Sequence, residues 1–152
     1  MINGSDGGLT ITENIGTSGQ PLQEVNFTVL DGHIGQDKKI KLKSNVVAQE
    51  IFIRNVKIIP DNNVTIHSAS AATTHLENLT FDLGTNAFHL EGRTIHDDLT
   101  KPVTINTTYD SNSKGVSGHI EMTKVGDTID LSNSSQLIIN VTNAPTTTPL
   151  PI

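Results

Sequence analysis

The sequence predicts an all-β fold of the β-solenoid kind, with a β-sandwich as the alternative. Three observations carry this. First, Ile, Val and Thr make up 47 of the 152 residues. Their β-branched side chains are stiff at χ1 and pack well on a pleated surface. Second, hydrophobic residues reach only 34% and aromatics 3%, with no Trp, so the core should be thin and aliphatic. Third, short apolar-x-apolar triplets recur, followed within a few residues by Asn, Asp or Gly. A solenoid stacks such apolar positions into inward ladders and turns its corners with residues that tolerate φ > 0.

The elements follow in order. Residues 1–21 read as a flexible Gly/Ser-rich segment with one β signal, Leu9-Thr10-Ile11-Thr12. The solenoid domain spans 22–143. It opens with Val25-Asn26-Phe27-Thr28-Val29, which alternates apolar and polar with period two. Gly32 and Gly35 punctuate the next turn, and Ile40-Lys41-Leu42 alternates again. From Val46 the pattern is dense: Ile51-Phe52-Ile53, Val56-Lys57-Ile58 and Val64-Thr65-Ile66, with a turn at Pro60-Asp61-Asn62-Asn63. Ser68 to Thr74 reads as a small-residue loop, and Thr73 to Asn78 is the only helix-like window. Leu79-Thr80-Phe81-Asp82-Leu83 is the clearest alternation. It places Phe81 and Leu83 inside and Asp82 outside. Ala87-Phe88-His89-Leu90, Val103-Thr104-Ile105 and Thr107-Thr108-Tyr109 come next. After a polar loop from Asp110 to Ser117 follow Ile120-Glu121-Met122, Ile129-Asp130-Leu131 and Leu137-Ile138-Ile139-Asn140-Val141. Residues 144–152 read as a Pro/Thr linker, because Pro has no N–H to donate to a ladder. No repeat of fixed length runs through the chain.

The net charge is −6 and the pI about 5.4, without a basic stripe. That argues against nucleic-acid binding. Cysteine is absent, which excludes a disulfide scaffold and any thiolate metal site. A Cys-free chain rich in Thr, Asn, Ser and Gly also suits export through a periplasm. Met1-Ile2-Asn3-Gly4-Ser5-Asp6 lacks the basic and apolar regions of a signal peptide. No run approaches the roughly 20 apolar residues of a membrane helix. If the protein is exported, the chain reads as an internal fragment of a larger protein, with no membrane insertion of its own.

Candidate chemistry is sparse. Six histidines, His33, His67, His75, His89, His96 and His119, lack the short spacings of a zinc site and read as scattered surface residues. Asp97 and Asp98 beside His96 are the most polar spot. Paired carboxylates there could serve acid–base work, but the following Leu99-Thr100-Lys101-Pro102 reads as a turn. Asp61-Asn62-Asn63 lacks the spacing of a calcium loop. Gly115-Val116-Ser117-Gly118 lacks the frame of a serine nucleophile and reads as loop. N-x-S/T triplets, among them those at Asn26, Asn63, Asn78, Asn106, Asn133 and Asn140, follow from composition. Lys38, Lys39, Lys41 and Lys43 form the only basic cluster; it could meet an anionic host surface, but it reads as the wet face of an edge strand, where lysines discourage edge pairing. The four Phe and single Tyr fall mostly at inward positions, which makes a sugar platform hard to build. No catalytic, cofactor or metal residue is expected, and the chain is read as a non-enzyme.

Two stretches carry a family resemblance. Leu79-Thr80-Phe81-Asp82-Leu83-Gly84-Thr85-Asn86-Ala87-Phe88-His89-Leu90-Glu91-Gly92 is one. Thr107-Thr108-Tyr109, Gly118-His119-Ile120, Ile129-Asp130-Leu131-Ser132 and Leu137-Ile138-Ile139-Asn140-Val141 form the other. Both resemble passenger segments of bacterial autotransporters, of the rickettsial surface cell antigen type (outer-membrane proteins A and B), over roughly 45–143. The resemblance implies a right-handed parallel β-helix displayed on the bacterial cell surface or secreted. It implies adhesion to or invasion of host cells through a host cell-surface protein, or a stalk role. Exposed end coils would permit self-association. The alternative reading is a carbohydrate-binding or carbohydrate-cleaving β-helix of a secreted or phage-tail-like protein.

Overall fold

A computed structural model describes residues 2–3, 9–28, 38–96, 101–122, 124–130, 132 and 137–144. Strands take 67% of them and no helix occurs among them. The early strands are β1 (Ile2–Asn3), β2 (Leu9–Ile11), β3 (Leu22–Thr28), β4 (Lys39–Leu42) and β5 (Val46–Arg54). The middle of the chain supplies β6 (Lys57–Pro60), β7 (Val64–Glu77), β8 (Leu79–Gly84), β9 (Ala87–Glu91) and β10 (Arg93–His96). The last are β11 (Val103–Asp110), β12 (Gly115–Val116), β13 (His119–Glu121), β14 (Thr128–Asp130) and β15 (Leu137–Thr142).

These strands make two sheets, and the chain alternates between them. The first sheet runs β1-β3-β5-β7-β10-β14, with β9 beside β7 and β13 beside β9. The second, strongly curled, runs β12-β11-β8-β6-β4-β2, with β15 on β11. Every strand pairing among the described residues is parallel except β11 with β12, a hairpin closed around 111–114. Antiparallel hairpins, the usual units of a β-sandwich, are thus confined to one place.

Each return to the second sheet adds a rung to one ladder: Leu9, Ile40, Ile58, Phe81, Ile105, Ile139. Successive members lie 31, 18, 23, 24 and 34 residues apart. The register is kept while the circuit length varies, which is why no fixed repeat is visible in the sequence. Phe27, Ile53, Leu76 and His96 form a ladder in the first sheet. Side chains alternate across each strand, so the core is a file of aliphatics with three inward rings, Phe27, Phe81 and Phe88. Phe81 and Leu83 are buried and Asp82 faces out, as the alternation predicts.

Corners are turned by asparagine. Asn45 N–H donates to Asn14 Oδ1, Thr65 N–H to Asn45 Oδ1, and Ala87 N–H to Asn62 Oδ1, at 2.9–3.0 Å. At the opposite corner Asn55 and Asn78 hold φ of 54° and 47°, and Asn78 Nδ2 donates to Asn55 Oδ1 at 2.8 Å. Asn tolerates this left-handed backbone better than most residues. Asn78, Asn106 and Asn140 of the N-x-S/T triplets all stack in this way.

Three sequence expectations are corrected. Ser68 to Thr74 is no loop but part of β7. Ser68 pairs with Ala48 and Thr73 with Glu50, so 69–72 stand opposite one residue of β5 and the strand bends there. In the next circuit the same bend falls at Gly92, between β9 and β10. Gly92 has φ 88°, and a Cβ there would collide with Ser68. Thr73 to Asn78 is strand rather than helix, because its inward Thr74 and Leu76 continue ladders from Ile51 and Ile53. Finally, β4 lies between β2 and β6, so its lysines do not guard an edge.

Buried His96 also departs from the surface reading. It is fully buried, and among the described residues neither ring nitrogen has a hydrogen-bond partner. It caps the Phe27 ladder where an aliphatic would fit. A buried polar group left unsatisfied costs about 1–3 kcal/mol. His96→Leu should therefore raise stability by about 1–3 kcal/mol in urea unfolding. A loss of stability would show that the imidazole is held by hydrogen bonds.

Candidate functional site

The outer face of the first sheet carries the densest polar chemistry. Alternation sends Val47, Glu50, Phe52 and Arg54 of β5 outward, with Thr65, His67, His75 and Glu77 of β7 and His89 and Glu91 of β9. Parallel register then stacks them: Val47 beside His67 beside Glu91, Thr65 beside His89 beside Glu121, and Phe52 beside His75.

One patch centres on Phe52. Its ring stacks on His75 at 4.5 Å and 9°, and the Arg54 guanidinium lies 4.6 Å from its centroid. His75 Nε2 meets Glu50 Oε2 at 2.8 Å. Glu77 holds Arg54 at 4.0 Å and Lys101 at 3.5 Å. Of the four Phe, Phe52 is the one that faces outward, an exception that the apolar triplet Ile51-Phe52-Ile53 conceals unless its parity is followed.

The second feature is a polar cleft of about 310 Å³ where the first sheet meets the 14–18 segment. Asn14, Asn45, Thr17, Ser18 and Thr65 supply amides and hydroxyls, and Val47 an apolar patch. Gly16 allows the wall to close, since a Cβ there would collide with the Val47 carbonyl. Glu91 sits at one end, 2.7 Å from Lys124 Nζ. The carboxylate raises the Lys124 amine above its ordinary value, by hydrogen bonding first and charge second. His67 Nδ1 lies 3.2 Å from Glu91 Oε2, near enough for attraction but without an aligned hydrogen bond.

The third is a carboxylate between two imidazoles. Glu121 lies 2.6 Å from His119 Nε2 and 3.7 Å from His89 Nδ1. The other His119 nitrogen faces the Ser117 carbonyl at 3.0 Å. A carbonyl and a carboxylate both accept, so the arrangement favours the form of His119 in which both ring nitrogens donate. The Glu121 hydrogen bond and then the Ser117 carbonyl raise its pKa above 6.5. The same bond lowers that of Glu121.

His67, His75, His89 and His119 are thus the histidines on the outer face, each beside a carboxylate, rather than scattered. No three His, Asp or Glu side chains converge as metal ligands among the described residues. His33, Asp97 and Asp98 lie outside the described residues. Asp61-Asn62-Asn63 forms a turn, with Asn63 at φ 62°, and Gly115–Val116 is strand β12 rather than loop. Comparison with protein-family models, curated proteins and solved structures returned no match.

The His119 pairing has a pH signature. A raised His pKa stabilises the fold below the unfolded value, and that contribution is lost as pH rises through the folded one. The lowered Glu121 contributes above its unfolded value and loses its effect as pH falls. The pair is therefore intact between the two folded pKa values. An NMR titration should place the His119 midpoint above 6.5, and Glu121→Gln should bring it down. An unchanged midpoint would mean that the carboxylate is not its partner.

Proposed function

We propose that this chain is a right-handed parallel β-helix segment of a larger exported bacterial surface protein. It acts without catalysis, in adhesion to or invasion of host cells, or as a stalk. The observation that carries this is the parallel ladder from Leu9 to Ile139, renewed at every return of the chain to the second sheet. A stack of that kind is a rigid support for side chains displayed along its flanks. The quoted likeness of 79–92 and 107–141 to autotransporter passengers supports the same reading.

The ends fit it too. All six residues of β15 are exposed, including Leu137 at 44% and Ile139 at 59%. Below them an apolar hollow of about 150 Å³ is lined by Phe81, Ile105, Ile120 and Leu137. Among the described residues β15 pairs with β11 alone, and such an uncharged, exposed parallel strand favours a further rung or a second copy, which supports self-association through that end. On the flank, the Phe52–His75–Arg54 stack offers an aromatic and charged surface of the composition that protein interfaces favour. Fluorescent domain, held monomeric by light-scattering criteria, should bind intact mammalian cells saturably, and Phe52→Ala should reduce that binding. Absence of saturable binding would remove the adhesive role and leave the stalk.

The cleft favours a second reading, carbohydrate binding. Its lining combines amides and hydroxyls with Val47 and His67, and its one carboxylate is balanced by Lys124, so a small neutral sugar suits it better than an ion. NMR shifts at Asn14, Thr65 and His67 with neutral hexoses, lost in Ser18→Trp, are expected. No shift with any hexose would end this reading.

A further inference from the structure

We propose that the outer face of the second sheet around β4 binds a linear sulfated polysaccharide. The inference deepens the adhesive reading and rests on it, by naming a ligand class and a place. Lys39 and Lys41 alternate outward along β4, and Lys43 follows two residues on. Lys57 of β6 is in register with Lys39. Strands lie roughly 4.8 Å apart and alternate residues roughly 6.6 Å apart, so the four amines form a short cationic strip.

Two facts set this strip apart. Its amines are unneutralised: no carboxylate lies within ion-pair distance of Lys39, Lys41, Lys43 or Lys57 among the described residues. Elsewhere Arg54 and Lys101 share Glu77, and Lys124 takes Glu91. Asp61 follows Pro60, the register partner of Leu42, and so stands beside Lys43; Asp82 lies on β8 and Glu13 follows β2 on the other side, none of them within ion-pair distance of the four amines. Moreover, like charges directly opposite on neighbouring strands repel. Lys39 beside Lys57 is such a pair, within a chain of net charge −6. Edge protection does not account for it, since β4 has neighbours on both sides.

A polyanion with regularly spaced, permanently ionised groups relieves that repulsion and matches a strip better than a single phosphate. Sulfate esters have this property. The strip carries no aromatic side chain, so the base stacking that holds single-stranded nucleic acid has no platform. The polysaccharide is therefore favoured over RNA or DNA.

The test uses the whole chain on immobilised heparin. Retention should weaken with salt, because charge neutralisation releases counterions. Lys41→Gln with Lys57→Gln should lower affinity about tenfold or more and reduce the log–log salt slope by about 2. Lys114→Gln, in the β11–β12 hairpin, should change neither. In the unmutated protein, heparin should protect Lys39, Lys41 and Lys57 from acetylation, read by mass spectrometry. Three results would overturn the proposal: no retention, an equal loss from Lys114→Gln, or RNA competing as well as heparin. Saturable cell binding that heparin leaves untouched would sink this inference alone and leave the adhesive reading in place.

Discussion

In-register parallel pairing between successive passages of the chain is the constraint on which the rest depends. Hydrogen bonds along each ladder are satisfied only by the passage before and the passage after. Each strand therefore fixes which face of its neighbour points inward. Once Ile40 faces the core, Ile58, Phe81 and Ile105 must follow it, and everything between them must face water. The histidines, glutamates and lysines of the outer faces are placed by the same rule that places the core. Their pairings, such as His75 with Glu50 across two strands, are products of register.

Much of this was legible in the residues. Leu79 to Leu83 alternates so cleanly that Phe81 and Leu83 inside and Asp82 outside could be read directly, although Thr80, an outward position by the same alternation, is buried as well. Asn, Asp and Gly after apolar triplets marked the corners, and the structure uses Asn45, Asn55, Asn62 and Asn78 for that purpose. Other parts were hidden because they depend on a neighbour far along the chain. Small residues at 68–74 read locally as loop, yet β5 recruits their ends into a ladder. Lys39 and Lys41 looked like edge guards, because nothing local shows that β2 will pair on one side and β6 on the other.

The outer-face chemistry was the least visible. His67 and Glu91 are 24 residues apart but adjacent in the sheet, and Lys124 reaches the same carboxylate from the segment before β14. No spacing rule for a local motif would join them, because circuits differ in length. Parity was the usable signal: along one unbroken strand, even separations share a face. It assigns Phe52 to the outside once Ile51 and Ile53 are inside.

Among the described residues every ladder in the two sheets joins only consecutive passages, and the last one ends on β15, which pairs with β11 alone. Such a stack has no long-range tie that makes it unfold as one body. Tension drawn from the β15 end would peel the molecule passage by passage, each release freeing a known length of chain: first about the 34 residues between Ile105 and Ile139, then about the 24 between Phe81 and Ile105. The folded chain would behave as an extensible tether with unequal steps, yielding gradually where a globular domain would snap.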